Sequence, residues 1–267
     1  MTERNPPTRR TLSHFRLPWI ALLALLACSA CWERTTASAR IVVFAASSLR
    51  EAFESIGAEF ERSHPGVAVS FNFAGTQELR SQLEHGARAD VFASADPHHM
   101  DALVAADLVA SPAIFATNEP VIVSSRDGGV RSLADLAVAD RIVLGAPEVP
   151  IGRYAAGILE RAQARMGDDF RARVEARVVS REFNVGQVLA KVELGEAQAG
   201  IVYRTDARRG SGRIAVVAIP ADLIVEARYP IAVTKDASHA ELARAFVELA
   251  LSDAGRRALE GAGFGTP

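Results

Sequence analysis

The stretch Ile41-Val42-Val43-Phe44-Ala45-Ala46-Ser47-Ser48-Leu49 decides the fold class. Its first four residues are an unbroken apolar run with three β-branched members, the pattern of a short buried strand. Leu49, Phe53, Ile56 and Phe60 then follow at helical spacing and define one apolar face. A strand thus runs into a helix through a turn that carries two serines. The same unit recurs along the chain. Val67 to Phe73 reads as a second strand, and Gln77 to His85 as a helix ending at Gly86. Val91-Phe92-Ala93 is the next strand, and Asp96-Pro97 caps and starts another helix. Further strands are expected at Val121-Ile122-Val123, Ile142-Val143-Leu144, Ala199 to Tyr203 and Ile214 to Ile219, with helices over 152–165 and 185–194. Such alternation implies an α/β protein whose mostly parallel sheets are flanked by helices.

Two segments read as crossings between lobes. Phe115 to Pro120 is a polar break between segments rich in β-branched residues, and Ala227 to Thr234 is an extended stretch carrying Tyr229-Pro230. The second leads to a final helix with Ser238 and Glu241 at its start and Leu242, Phe246 and Leu249 on its apolar face. A chain that leaves one α/β lobe and returns to it makes two lobes joined by two crossing strands. The expected division is 40–117 for the first part of lobe 1, 118–226 for lobe 2, and 227–267 for the return to lobe 1. Ligands then sit in the cleft, outside the carboxyl ends of the strands.

The chain has 267 residues, 49% of them hydrophobic, with a net charge of −2. That composition excludes disorder, collagen-like repeats and a disulfide scaffold, and it argues against a dedicated nucleic-acid binder. The first forty residues read as an export leader. Arg9, Arg10 and Arg16 precede an uncharged run from Leu17 to Ala30, too short to span a bilayer comfortably. Ala37-Ser38-Ala39 supplies a small-x-small cleavage site, so that residues 1–39 are a signal peptide. Leu25-Leu26-Ala27-Cys28 supplies the alternative, a lipoprotein leader anchored at Cys28. Thr8-Arg9-Arg10 also hints at twin-arginine export. Cys28-x-x-Cys31 inside such a leader is coincidence rather than redox chemistry. Without residues 1–39 the chain loses five of its 30 basic and two of its 32 acidic residues, leaving 25 against 30 and a net charge of −5.

The hydroxyls are the informative feature. Ser48, with Glu51 three residues on, follows the first strand, and Thr76 follows Phe73-Ala74-Gly75 after the second. Taken singly, each reads as a helix cap. Taken together, two such helix starts in one lobe aim unpaired backbone N–H groups at one cleft, where the helix dipole favours an anion. The second lobe offers Pro147-Glu148-Val149-Pro150-Ile151-Gly152 ahead of a helix with Tyr154, and Asn184-Val185-Gly186 opening another. Ile151 and Val185 are apolar and would reach an anion only through backbone N–H. Tyr203 ends the strand Gly200-Ile201-Val202-Tyr203, where its hydroxyl reaches toward the cleft.

These segments, in order, resemble the periplasmic molybdate-binding proteins of ABC transporters. Val43-Phe44-Ala45-Ala46-Ser47-Ser48-Leu49 is similar to the opening strand of that family, and Phe73-Ala74-Gly75-Thr76-Gln77-Glu78-Leu79 to its second ligand loop. Gly86-Ala87-Arg88-Ala89-Asp90-Val91-Phe92-Ala93-Ser94-Ala95-Asp96 is close to a family signature. Gly145 to Tyr154 and Gly200 to Tyr203 continue the likeness, which covers residues 41–267. The resemblance implies a two-lobed periplasmic-binding-protein fold and an exported substrate-binding protein that captures molybdate, and tungstate, in an inter-lobe cleft. It implies delivery to a membrane permease and its ATPase by a monomer without a cofactor. It also implies the ligand set Ser48, Thr76, Ile151, Val185 and Tyr203, the first two through hydroxyl and backbone N–H, the next two through backbone N–H, the last through its phenol. Thr76 stands where serine is usual, and the loop before Ile151 is one residue shorter than in some relatives.

None of these five residues is charged, so preorganised neutral dipoles would hold the anion, each bond to a charged group contributing roughly 1.5–3 kcal/mol. Donors alone suit an oxyanion that is fully deprotonated at neutral pH. Monohydrogen phosphate needs an acceptor for its proton. The alternative within the binding class is another oxyanion, such as sulfate, thiosulfate or phosphate. Glu148 and Glu182 lie near enough in sequence to supply carboxylates in a variant site. Ferric iron is disfavoured because the three tyrosines, Tyr154, Tyr203 and Tyr229, are scattered in sequence. An enzyme is disfavoured because no G-x-S-x-G, H-E-x-x-H or Walker loop occurs. His98 and His99 are adjacent, so on a helix they point about 100° apart and do not readily share a metal. A purely structural or adhesive role would leave five converging donors unexplained.

Overall fold

The structure, a computed structural model, describes Thr2 and residues 39–210 and 212–267. The leader reading, including Cys28 and Cys31, lies outside the described residues, except that Ala39 is the first residue of the first strand. Among the described residues no helix is long and apolar enough to cross a membrane.

From Ala39 the chain alternates strand and helix. The elements are β1 (Ala39–Ala46), α1 (Arg50–Ser63), β2 (Val67–Ala74), α2 (Thr76–Glu84), β3 (Val91–Ala93), α3 (Pro97–Ala105), β4 (Val109–Asn118) and β5 (Pro120–Ser125). Then come β6 (Ile142–Gly145), α4 (Pro150–Met166), α5 (Phe170–Glu175), β7 (Val178–Glu182), α6 (Val185–Glu193), β8 (Ala199–Tyr203) and α7 (Arg204–Arg209). The chain closes with β9 (Ile214–Val217), β10 (Ala227–Thr234), α8 (Ala240–Leu251) and α9 (Asp253–Gly261).

The strands form two five-stranded sheets, one ordered β2-β1-β3-β10-β4 and the other β7-β6-β8-β5-β9. In each sheet four strands run one way and one is reversed. The reversed strands are β10, antiparallel to β3 and β4, and β5, antiparallel to β8 and β9. Each reversed strand directly follows a passage between lobes. The chain leaves the first sheet after Asn118 and enters the second at Pro120 with a single residue between. It returns at Ala227, which pairs with Asn118. The two crossings therefore lie side by side.

Burial follows from the sequence pattern. Ile41 and Val43 on one face of β1 pack with Leu49, Phe53, Ile56 and Phe60 of the following turn and α1. Phe44, on the other face, packs with Leu79 and Leu83 of α2, Phe92 of β3, and Met100 and Leu103 of α3. Helices cover both faces, which is why β1 reads as a continuous apolar run. Phe53 stacks obliquely or edge-on against Phe115 and Phe246 at 5.6 and 5.9 Å, so the returning α8 completes the core of the lobe that the chain began. In the second lobe every residue of β8 is buried.

Three local expectations are corrected. Ser238 does not cap the final helix: α8 has His239 at its cap position and no side-chain cap. A further helix, α9, follows, capped by Ser252, whose hydroxyl accepts from the Gly255 N–H at 3.3 Å. The ten-residue strand β4 begins well before the polar break at Thr117 to Pro120, since β10 supplies the ladder that holds its largely exposed first half extended.

Asp90 shows what the Gly86–Asp96 segment does for the fold. Its buried carboxylate accepts from the N–H of Val42 at 2.7 Å and from that of His239 at 3.1 Å. One side chain thus ties β1 to the return segment.

Candidate functional site

Ser48, Thr76, Ile151, Val185 and Tyr203 all line one cavity between the lobes. Residues after β1, β2 and β3 form one wall, and residues after β6, β7 and β8 form the other. No lining residue is charged. The cavity is small, about 210 Å³ including the open space at its mouth. That is room for one compact group, not for a sugar or a peptide.

On the first wall, Ser48 sits in a single 3₁₀ turn, Ser47–Leu49, that joins β1 to α1. The capping expectation fails here. Helix α1 has no side-chain cap, and the Ser48 hydroxyl lies 3.1 Å from Oη of Tyr229, on the second crossing strand. It fails at Thr76 as well. Gly75 holds the cap position and Thr76 is the first helical residue, with its Oγ1 accepting the Ala95 N–H at 3.2 Å. Both hydroxyls are engaged by tertiary partners that local sequence cannot show.

On the second wall, Pro150 opens α4, as its fixed φ and missing N–H allow, which leaves Ile151 at the second helical position. Asn184 caps α6 by accepting the Gln187 N–H at 3.0 Å, and Val185 is the first helical residue. The first N–H groups of a helix have no intrahelical acceptor. Helices α2, α4 and α6 all begin at the cavity, so their positive dipole ends converge on it.

Tyr203 ends β8 with 1% of its surface exposed, and its Oη has no hydrogen-bond partner. Burial pushes its phenol well above the usual range, so the proton stays on and the group remains a donor. The ring stands edge-on between Tyr154 at 6.2 Å and Tyr229 at 5.8 Å. The three tyrosines, scattered in sequence, are therefore a cluster in space, which removes the ground on which iron was disfavoured. Burial raises all three phenols, so each keeps its proton in the ligand-free protein.

The carboxylates considered from sequence are not in the cavity lining. Glu182 pairs with Lys191 at 2.8 Å and accepts from Ser180 at 2.7 Å, while Glu148 is exposed. Flanking the cavity, the lobes hold one another directly. Arg153 Nε lies 3.5 Å from Asp96 Oδ2, His99 Nε2 lies 2.8 Å from the Glu148 carbonyl, and Gln77 Nε2 donates to the Phe183 carbonyl at 2.7 Å. Burial lowers the His99 imidazole below its ordinary value. Among the described residues no group of three or more His, Cys, Asp or Glu side chains is placed to hold a metal ion.

A family model for bacterial extracellular solute-binding proteins matches residues 41–265. The chain belongs to that family. Among its relatives, this solute-binding protein is 42% identical over 237 residues to the molybdate-binding protein ModA of Mycobacterium tuberculosis, covering 87% of each chain. Its fold is similar to that of the periplasmic molybdate-binding protein of Azotobacter vinelandii, with a TM-score of 0.73 at 21% identity over 85% of this chain and 99% of that one. It is equally close to the sulfate-binding protein SubI of M. tuberculosis, with a TM-score of 0.76 at 18% identity, covering 85% and 86%. These last two likenesses concern the fold. The solute-binding protein is a receptor and not an enzyme.

The sequence did not reveal Asn118, Tyr229 or Ala95 as supports of the site. Each acts through a contact with a residue at least 19 positions away, and none carries a motif.

Proposed function

We propose that this chain is an exported receptor that binds molybdate, and tungstate, through Ser48, Thr76, Ile151, Val185 and Tyr203, and delivers it to an ABC-transporter permease and its ATPase. The observation that carries the reading is the Tyr203 phenol, buried, protonated and without a partner beside a cavity of neutral donors. A buried O–H without an acceptor costs about 1–3 kcal/mol, which an anion's oxygen would recover. The site supplies donors and no carboxylate, so it favours a fully deprotonated tetrahedral oxyanion over monohydrogen phosphate. The 42% identity to a protein named for molybdate supports the choice among such anions. The receptor acts outside the cytoplasm as a monomer, released by cleavage after Ala39 or anchored at Cys28.

A thermal-shift series with molybdate, tungstate, sulfate and phosphate tests this. A ligand at a thousand times its Kd stabilises by about 4 kcal/mol, or roughly 8–16 °C at this chain length. Shifts with molybdate and tungstate alone are expected. A shift with sulfate or phosphate alone would overturn the substrate and keep the site.

A further inference from the structure

We infer that Asn118 and Tyr229, one on each crossing, are positioning residues that fix the direction of the Ser48 hydroxyl and thereby set which oxyanions the cavity accepts. The inference rests on the oxyanion reading of the cavity.

The direction follows from the donors. The Glu119 N–H can only donate, and it lies 3.0 Å from Asn118 Oδ1. The Asn118 amide is thereby oriented with Nδ2 toward Thr205 Oγ1, at 2.9 Å, and Tyr229 Oη, at 3.5 Å. Tyr229 Oη accepts from Asn118, so its own proton goes to the remaining neighbour, Ser48 Oγ, at 3.1 Å. Ser48 already accepts one bond and keeps its proton for the cavity it lines. If it instead accepted a proton from the ligand, its own would lack an acceptor in a site only 3% exposed. The chain Asn118 to Tyr229 to Ser48 therefore holds Ser48 as a donor. Thr76 is held in the same sense, because its Oγ1 accepts from Ala95 and its proton is left for the cavity.

The placement adds a second consequence. Asn118 ends β4, Tyr229 lies on β10 beside it, and Thr205 belongs to the second lobe. The orientation of a ligand hydroxyl in the first lobe thus depends on a contact made where the lobes join.

Two measurements test the inference, both by titration with molybdate, tungstate, sulfate and phosphate. In Asn118→Asp an acceptor replaces the amide donor, so the Tyr229 proton turns away from Ser48, and Ser48 presents a lone pair to the ligand. The ratio of phosphate to molybdate affinity is expected to rise at least tenfold, whereas added negative charge alone weakens both anions and leaves the ratio. The second measurement is the cycle of Tyr229→Phe, Ser48→Ala and the double variant, which does not depend on Asn118→Asp folding. Tyr229→Phe is expected to weaken the wild-type ligand about tenfold and to have no further effect once Ser48 is alanine. An unchanged ratio, or additive losses in the cycle, would overturn the relay. Failure of the wild type to bind any deprotonated oxyanion would overturn the cavity reading and the relay together. Binding of sulfate without molybdate would overturn only the substrate, and the cycle read with sulfate would still decide the relay.

Discussion

Gln77 of the first lobe donates its side-chain amide to the Phe183 carbonyl of the second at 2.7 Å, and Gly75, two residues earlier, leaves the room for this approach. A Cβ on Gly75 would stand 2.3 Å from that carbonyl oxygen. The φ of Gly75 is −63°, open to any residue, so the glycine is required by the approach of the opposing lobe and not by its own backbone.

Gly75→Ala is therefore expected to hold the lobes apart while leaving each lobe folded. Ligand affinity should fall at least tenfold, about 1.4 kcal/mol or more. Calorimetric titration together with small-angle scattering checks this. Wild-type affinity with an unchanged radius would refute it.

Tyr203→Phe removes the O–H that lacks a partner. The ligand-free protein is expected to gain about 1–3 kcal/mol, raising Tm by roughly 5 °C. The shift produced by the bound oxyanion is expected to shrink at the same time. The two changes have opposite signs, and a thermal melt with and without ligand separates them. A lower Tm without ligand would mean that the phenol already has a structural partner.

Asp206 is fully buried beside Arg209, and burial pushes its carboxyl up to about 6 despite that neighbour. Between the unfolded value near 3.8 and about 6 the folded chain holds more proton than the unfolded one. Its contribution to stability therefore falls as pH rises through that window and is level above it. Urea unfolding at pH 4 and pH 7.5 compares the wild type with Asp206→Asn. The variant should gain on the order of 3 kcal/mol relative to wild type between those values. A gap independent of pH would show that the carboxyl titrates as in the unfolded chain.

Asp90→Asn turns one of two buried acceptors into a donor facing an N–H. With the Val42 and His239 bonds both weakened, a loss of about 3 kcal/mol is expected, or roughly 6–12 °C in Tm. The oxyanion-induced shift should persist, because Asp90 does not line the cavity. Loss of ligand binding in a protein of unchanged Tm would contradict that role.

Much of the fold was legible because its signals are local. β8 stands where the apolar run Ala199 to Tyr203 placed it, and Asp96 caps α3 through the His99 N–H at 3.0 Å, as Asp-Pro announces. β4 was only partly legible, since its largely exposed first half, with Ser111-Pro112, is extended by the ladder of β10, more than a hundred residues later. The site divided in the same way. Ser48, Thr76, Ile151, Val185 and Tyr203 lie at strand ends and helix starts that the pattern marks out, so their positions could be read. The Ser48 and Thr76 hydroxyls could not, because capping is decided within a few residues, whereas their partners are 181 and 19 residues away.

By itself the sequence determined the alternation of strand and helix, the two-lobed α/β architecture and the neutral character of the candidate ligands, because these depend on periodicity and residue type. Only the tertiary structure decided that the three tyrosines form one row, that Gly75 faces the Phe183 carbonyl, and that Asn118, Tyr229 and Ser48 stand in one line of hydrogen bonds. A hydrogen bond is directional and short-ranged, and its partner is chosen by whatever atom the completed fold brings within about 3 Å.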